Sequence, residues 1–391
     1  MTTPETSPAT RLAAARLYYL DYLRAAVVAL VMLHHAAITY GAAGSWYYSD
    51  AATSKWVHLA LTWFVAVNQA WFMAFLFFLS GYLSLASYTR KGVGRYVTDR
   101  LRRFGIPILV YAFVISPVVT WLVVAAGPGT HPSLFAYWES EYLSLRIIDT
   151  GPLWFVWALL LMDLLFVVWA RWLSRVDLRA RRPGLAFPSR LRLSALAVGL
   201  GLAAFAVRQA VPVGATVLFG LQIAYFPDYV AMFILGFFAW RYRWLDEIPD
   251  AAFRFARVAV IAGILAFPFL MIVGTLTTSD PSAAFAGGLH WQALAYALWS
   301  PWVLVGMSIV LLSWGRRRLN RPFAPWQEWS AGSYVAYILQ PLVLVPLGIL
   351  FHGVPWPAIA KWAVVGPTTV VVTYGLARAV RWVGPVRWVV G

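Results

Sequence analysis

Long apolar runs, each bounded by polar or basic residues, recur along this 391-residue chain. Ten are long enough to cross a membrane with some tilt. They fall at about Leu17–Tyr40, Val57–Tyr88, Phe104–Ala125, Leu153–Leu173, Leu191–Val207, Phe219–Trp240, Phe255–Leu276, Trp291–Trp314, Ala331–Phe351 and Ala358–Trp382. The fifth is the shortest, is rich in glycine and ends at Arg208. Strand-like alternation is absent over long windows, which argues against a β-barrel. The pattern predicts an all-α polytopic integral membrane protein of about ten transmembrane helices, each satisfying its own backbone hydrogen bonds. Prolines 107, 117, 227, 268, 301 and 341 should kink or start helices. Residues 1–15, rich in Thr, Pro and Ala, read as a disordered N-terminal tail, and 16–391 as a single transmembrane domain. Arg11 and Arg16 ahead of the first run, with small residues after it, mimic a signal peptide. The run's length and its ionisable groups instead favour a retained span.

The polar ends of the runs set an orientation. Of the 31 lysines and arginines, 26 fall at alternating ends. The other ends keep only Lys55, Arg146, Arg208 and Lys361, while Arg24 lies inside a span. By the positive-inside rule this predicts both termini in the cytoplasm, in a cell (inner) membrane. Composition agrees: 61% of residues are hydrophobic and 12% are charged. The net charge of +16 follows from topology and from attraction to anionic membrane lipids, so nucleic acid is not needed as a partner. The absence of cysteine excludes disulfides and thiolate chemistry, and six scattered histidines argue against a metal site.

The segments on the side with few cations differ in kind. Residues 126–152 carry His131, Glu139, Glu141 and Asp149 among aromatics, and residues 41–56 add Trp46, Tyr47, Tyr48 and Asp50. Two readings stand together: an interfacial aromatic belt, and a face on which rings stack against sugars while carboxylates accept their hydroxyls.

Charge within a span is costly and marks candidate chemistry. The first run holds Asp21, Arg24, His34 and His35. At about 100° per residue, the eleven residues from Arg24 to His35 bring both within roughly 20° of one face, about 16 Å apart. Asp21 lies one turn before Arg24 and is placed to pair with it. His34 is turned about 80° away, so His35 is the better general-base candidate. The plain alternative is an Arg24 that snorkels and histidines that sit at the interface. A second group, Asp99-Arg100-Leu101-Arg102-Arg103, puts Arg100 and Arg103 one turn apart, suited to one anion or to ordinary inside charge. Asn68, Gln69, Asp163, Gln222, Asp228 and Gln340 also lie in or near spans. Buried amides often only bridge helices. Asp163 would orient His35 or another base, or pair with an arginine, and His34, Asn68 and Asp163 are candidate pore residues.

Taken in order, Leu20-Asp21-x-x-Arg24 with ten residues before His35, the aromatic segment ending Ser80-Gly81, Asp99-Arg100-x-x-Arg103 … Pro107, and Gly151-Pro152-Leu153-Trp154-Phe155 resemble the acyltransferase 3 family of membrane O-acyltransferases. The likeness is to its glucan-biosynthesis branch. The motifs lie in the first 160 or so residues; beyond them only hydropathy matches. The resemblance implies transfer of an acyl group, acetyl or succinyl, from cytoplasmic acyl-CoA to a hydroxyl of an extracytoplasmic or membrane-associated glycan or glycolipid. It implies catalytic roles for His35, Arg24 and Asp21 and binding of the CoA phosphates by Arg100 and Arg103. It also implies a donor that is substrate rather than a permanently bound cofactor. The inward-facing N-terminus of the first helix would favour the same anions. A transporter or flippase for a lipid-linked or acylated molecule, using the same intramembrane charges, is the alternative from another class.

Overall fold

The computed structural model describes residues 17–50, 54–129, 131–172 and 184–390. The expected tail, residues 1–15, and four arginines after the fourth span (175, 179, 181 and 182) lie outside the described residues. Among the described residues, ten helices are long and apolar enough to cross a membrane: α1 Tyr18–Thr39, α2 Lys55–Lys91, α3 Val93–Ala126, α4 Gly151–Trp172, α5 Arg190–Arg208, α6 Ile223–Arg241, α7 Asp250–Leu276, α8 Trp291–Leu319, α9 Ala324–Leu350 and α10 Ala358–Val380. Among the described residues the β pairing is an isolated bridge between Val217 and Leu221. Helix α1 packs against α2, α8, α9 and α10, which places its polar residues in the middle of the molecule. Helices α3, α5 and α7 present most of their surface outward and form the perimeter.

Several boundaries differ from the hydropathy pattern. Helix α3 starts at Val93, about ten residues early, because the charged amphipathic stretch 93–103 is helical but not apolar enough to register. Arg100 and Arg103 therefore sit within α3 rather than ahead of it. Helix α6 starts later than expected, since Leu218 and Phe219 take positive φ in the preceding loop. Helix α2 has 37 residues, about 55 Å against a hydrocarbon core of about 30 Å, so it extends well past the apolar layer.

Prolines inside the spans free carbonyls that side chains then take. A proline inside a helix frees the carbonyl four residues before it. Pro107, Pro117, Pro268 and Pro341 free those of Arg103, Phe113, Ile264 and Tyr337. Each is taken by a side-chain donor: the Tyr334 hydroxyl on Arg103 (2.7 Å), the Trp138 indole on Phe113 (2.8 Å), the Trp63 indole on Ile264 (3.1 Å) and the Gln340 amide on Tyr337 (3.2 Å). In α3, π-helical turns at Leu101–Gly105 and Tyr111–Ile115 immediately precede these prolines' segments. Helices α2 and α6 approach to backbone contact. A Cβ on Gly81 would lie 2.0 Å from the Phe233 carbonyl oxygen, and one on Gly236 would lie 2.3 Å from that of Phe78.

The two faces are tied off separately. On the face rich in arginine, the Tyr22 hydroxyl donates to the Arg321 carbonyl (3.2 Å) and accepts from the Phe323 N–H (3.1 Å). There Arg381 also pairs with Glu328 (2.5 Å). On the opposite face, Asp50 pairs with Lys361 (2.6 Å) and sits 3.4 Å from His352, anchoring the segment between α1 and α2.

Candidate active site

The arginine-rich face opens into a cavity of about 870 Å³ between α1, α2, α3, α4 and α9. The overlong end of α2 supplies one wall with Ser80, Ser84, Ser87, Arg90 and Lys91. Arg24 lines it from α1 and Arg100 and Arg103 from α3; the C-terminal Arg381 and Arg387 stand at its rim. Seven cationic side chains face this space against one carboxylate, Glu328. Such a field concentrates anions. Asp21 and Arg24 pair at 3.2 Å, as their one-turn spacing predicts, and Arg24 also reaches the Ser330 carbonyl at 3.5 Å.

The two arginines of α3 are not equivalent. The Arg100 side chain is mostly buried; its Nε lies 3.0 Å from Asp163 Oδ2 and its terminal nitrogen donates to Ser84 (3.1 Å). It also packs over the Tyr96 and Phe104 rings. Asp163 is fully buried and, beside this ion pair, accepts a hydrogen bond from the Tyr96 hydroxyl on Oδ1 (2.6 Å). Asp163 thus pairs with an arginine and does not orient His35. Arg103 faces the cavity from the next turn. Asp99 pairs with Lys91 and Arg102, closing the turn between α2 and α3.

The cavity lining stops on α1 at Val28, seven residues and so about 10 Å short of His35. Tyr337 and Phe155 are also at its deep end. The connection onward runs through Tyr337. Its carbonyl, freed by Pro341, accepts from Gln340 Nε2, which turns Gln340 Oε1 toward His35 Nδ1 at 3.1 Å. Because a carboxamide oxygen only accepts, His35 Nδ1 carries the proton and Nε2 keeps its lone pair. One face of the imidazole is covered by Trp46, stacked at 3.9 Å and 15°. His34 is buried instead against Phe72 of α2 (4.9 Å) and meets His35 edge-on. His35, the histidine that shares the Arg24 face by helical phase, is thus the one bonded to Gln340.

Beyond His35 lies a polar cluster on the face with few cations. Trp46 stands edge-on to Tyr47, whose hydroxyl donates to Asp149 (2.5 Å) and meets that of Tyr111 (2.9 Å). Ser116 also donates to Asp149 (2.9 Å), and the Tyr142 hydroxyl meets both Ser116 and Thr120 at 2.9 Å. Burial first, then the neighbouring Tyr111 and Asp149, push the Tyr47 hydroxyl well above its ordinary pKa, so it stays a donor to the carboxylate. Gly151 takes φ +45°, and a Cβ there would lie 2.1 Å from the Tyr47 oxygen. That close approach explains the glycine in Gly151-Pro152-Leu153-Trp154. The Pro152 carbonyl accepts the Tyr337 hydroxyl, linking this cluster to the cavity floor.

The structure thus gathers Asp21, Arg24, Arg100, Arg103 and Asp163 around or beside one cavity, with His35 above it. His34 and Asn68 do not line it. Asn68 faces a separate apolar groove of about 390 Å³ between α2, α7 and α10. Among the described residues no group of three or more His, Cys, Asp or Glu is placed to hold a metal ion. Sequence reasoning treated Gln340 only as a bridging amide. The dipeptide Gln340-Pro341 carried the signal, since the proline frees the carbonyl that orients the amide. Lys361 is, from the sequence, one of the four cations of the sparse face; its buried partner Asp50 is 311 residues away and is not read from spacing.

A family model described as an acyltransferase domain, of the acyltransferase 3 type, matches residues 17–378. Relatives named glucans biosynthesis protein C, from Salmonella paratyphi B and Salmonella dublin, are each 25% identical over 358 residues, covering 89% of this chain and 86% of theirs. The protein of that name from Salmonella gallinarum matches to the same extent. No solved structure matches the chain. The family match runs from the start of α1 nearly to the end of α10 and includes every element of the cavity wall described above except the C-terminal rim. The chain belongs to the acyltransferase 3 family of membrane acyltransferases.

Proposed function

We propose that this protein moves an acetyl or succinyl group from acyl-CoA, held in the basic cavity, to a hydroxyl of a glycan on the opposite face, with His35 as general base. The observation that carries the reading is the His35–Gln340 hydrogen bond at the head of a cation-lined cavity. It leaves one imidazole nitrogen able to take a proton, on the far side of the molecule from the phosphate-binding charge. The basic face is cytoplasmic in this reading, in a cell membrane, which puts the donor where acyl-CoA is made. Arg103 and Arg24 attract the donor phosphates, while Arg100 holds the shape of the wall through Asp163. The acyl arm passes Val28 and Tyr337 to reach His35. The relatives' name points to a glucan as acceptor, and the Trp46–Tyr47 face and Asp149 have the chemistry to receive a sugar.

His35 Nε2 takes the acceptor's hydroxyl proton as that oxygen bonds the thioester carbonyl carbon. Collapse of the tetrahedral adduct breaks the C–S bond, and the proton passes from His35 to the departing sulfur. Donor and acceptor are both substrates; no permanently bound cofactor is required.

The test is turnover of radiolabelled acetyl- and succinyl-CoA by purified protein with a glucan acceptor. Wild type should transfer label, and His35→Ala should lose about 100-fold or more in turnover with CoA affinity unchanged. Turnover of His35→Ala near wild type removes His35 from the base role. Absence of acyl transfer from both donors, with substrate movement across vesicles, favours the transport alternative instead.

A further inference from the structure

The rim of the basic cavity carries an aromatic platform that no step above uses. Trp382 follows the last turn of α10 and lines the cavity together with Arg381 and Arg387. It is 63% exposed, the opposite of the buried indoles elsewhere in the core. The Arg381 guanidinium lies 5.1 Å from its ring centroid and that of Arg387 lies 5.9 Å away. The segment is held in place from both sides: Arg381 is bound to Glu328 of α9 (2.5 Å), and Arg102 of α3 packs over Trp388 at 5.2 Å. Arg90 and Lys91 line the same cavity from the end of α2. An interfacial belt tryptophan needs only an outward, lipid-level position. Trp382 instead stands exposed at the mouth of a cavity, with the Arg381 and Arg387 guanidinium groups over its ring.

That combination suits one chemistry. A purine base stacks on an indole, and guanidiniums beside it bind the base's phosphates through charge-assisted hydrogen bonds. We propose that Trp382, Arg381 and Arg387 form an adenine-nucleotide subsite at the cavity mouth, which holds the nucleotide end of the acyl donor. The deeper Arg103 and Arg24 are left to the donor's pyrophosphate, the phosphates on the thioester side of the nucleotide. The inference rests on the donor reading given above, and it adds which end of the donor is held where. Selectivity for CoA over a bare pantetheine thioester then comes from the last residues of the chain, outside the family-matched region that ends at residue 378.

Equilibrium binding to the purified full chain tests it, with three probes: CoA, adenosine 3′,5′-diphosphate and 4′-phosphopantetheine. Base–aromatic stacking of the usual strength predicts that Trp382→Ala weakens CoA and the adenosine diphosphate by about tenfold or more and leaves phosphopantetheine unchanged. Trp382→Phe, which keeps a ring, should retain most of the affinity. Unchanged CoA affinity in Trp382→Ala, or an equal loss for all three probes, overturns the subsite. Wild-type protein that binds CoA but not the adenosine diphosphate overturns the subsite alone. Wild-type protein that binds neither overturns the donor reading together with it.

Discussion

Arg100 and Arg103 look alike in the sequence, one helical turn apart, yet they answer to different neighbours. Arg100 is fixed to a fully buried carboxylate, while Arg103 faces the cavity. Removing one partner of a buried pair leaves an uncompensated charge and costs about 3–5 kcal/mol. Arg100→Ala should therefore lower the thermal midpoint sharply, and adding Asp163→Asn should restore part of it. Arg103→Ala should lower the midpoint less than Arg100→Ala does and should weaken CoA binding, increasingly so at low salt. Melting curves alongside CoA titrations separate the two; a stable Arg100→Ala protein with lost CoA affinity would return Arg100 to a ligand-binding role. The different settings of His35 and His34 were legible in the sequence because an eleven-residue spacing fixes angular phase. What faces His35 was not, because Gln340 is 305 residues away and phase within one helix says nothing about its neighbours.

At the scale of elements, the apolar runs located all ten spans, and the errors fall where polarity and helicity part company. The start of α3 is the clearest case: residues 93–103 are helical because they pack on α4 and the end of α2, not because they are apolar. The prolines were legible as kinks but not as connectors: the donors to the Arg103, Phe113 and Ile264 carbonyls come from outside the proline's own helix, and Gln340 in α9 is the local exception. In α9 this connection controls the site. Gln340→Leu should lower turnover while leaving the KM for acyl-CoA unchanged, and Gln340→Glu, which still accepts from Nδ1, should recover much of the rate. Equal loss in both variants, or a rise in KM alone, would mean that Gln340 does not position the base. Tyr334→Phe removes the hydroxyl on the Arg103 carbonyl and should cost about 1 kcal/mol, read as a small fall in thermal midpoint. A midpoint equal to wild type would show that the carbonyl finds another donor.

For the whole molecule, an even number of spans puts the start of α1 and the end of α10 on one face, and the basic residues mark it. The chain has no cysteine, so single cysteines report orientation without background. Glu139→Cys and Glu247→Cys lie on exposed segments of opposite faces. In intact cells an impermeant maleimide should label the first and not the second; the reverse pattern would invert the orientation proposed here. That architecture sets donor charge and imidazole about 16 Å apart along one central helix, which makes transfer across the membrane the central claim. It is tested most directly in sealed proteoliposomes with labelled acyl-CoA confined to one side and glucan to the other. Label should reach glucan when the donor is on the basic face, and His35→Ala should abolish this. Label that reaches glucan only when donor and acceptor share a side would contradict it.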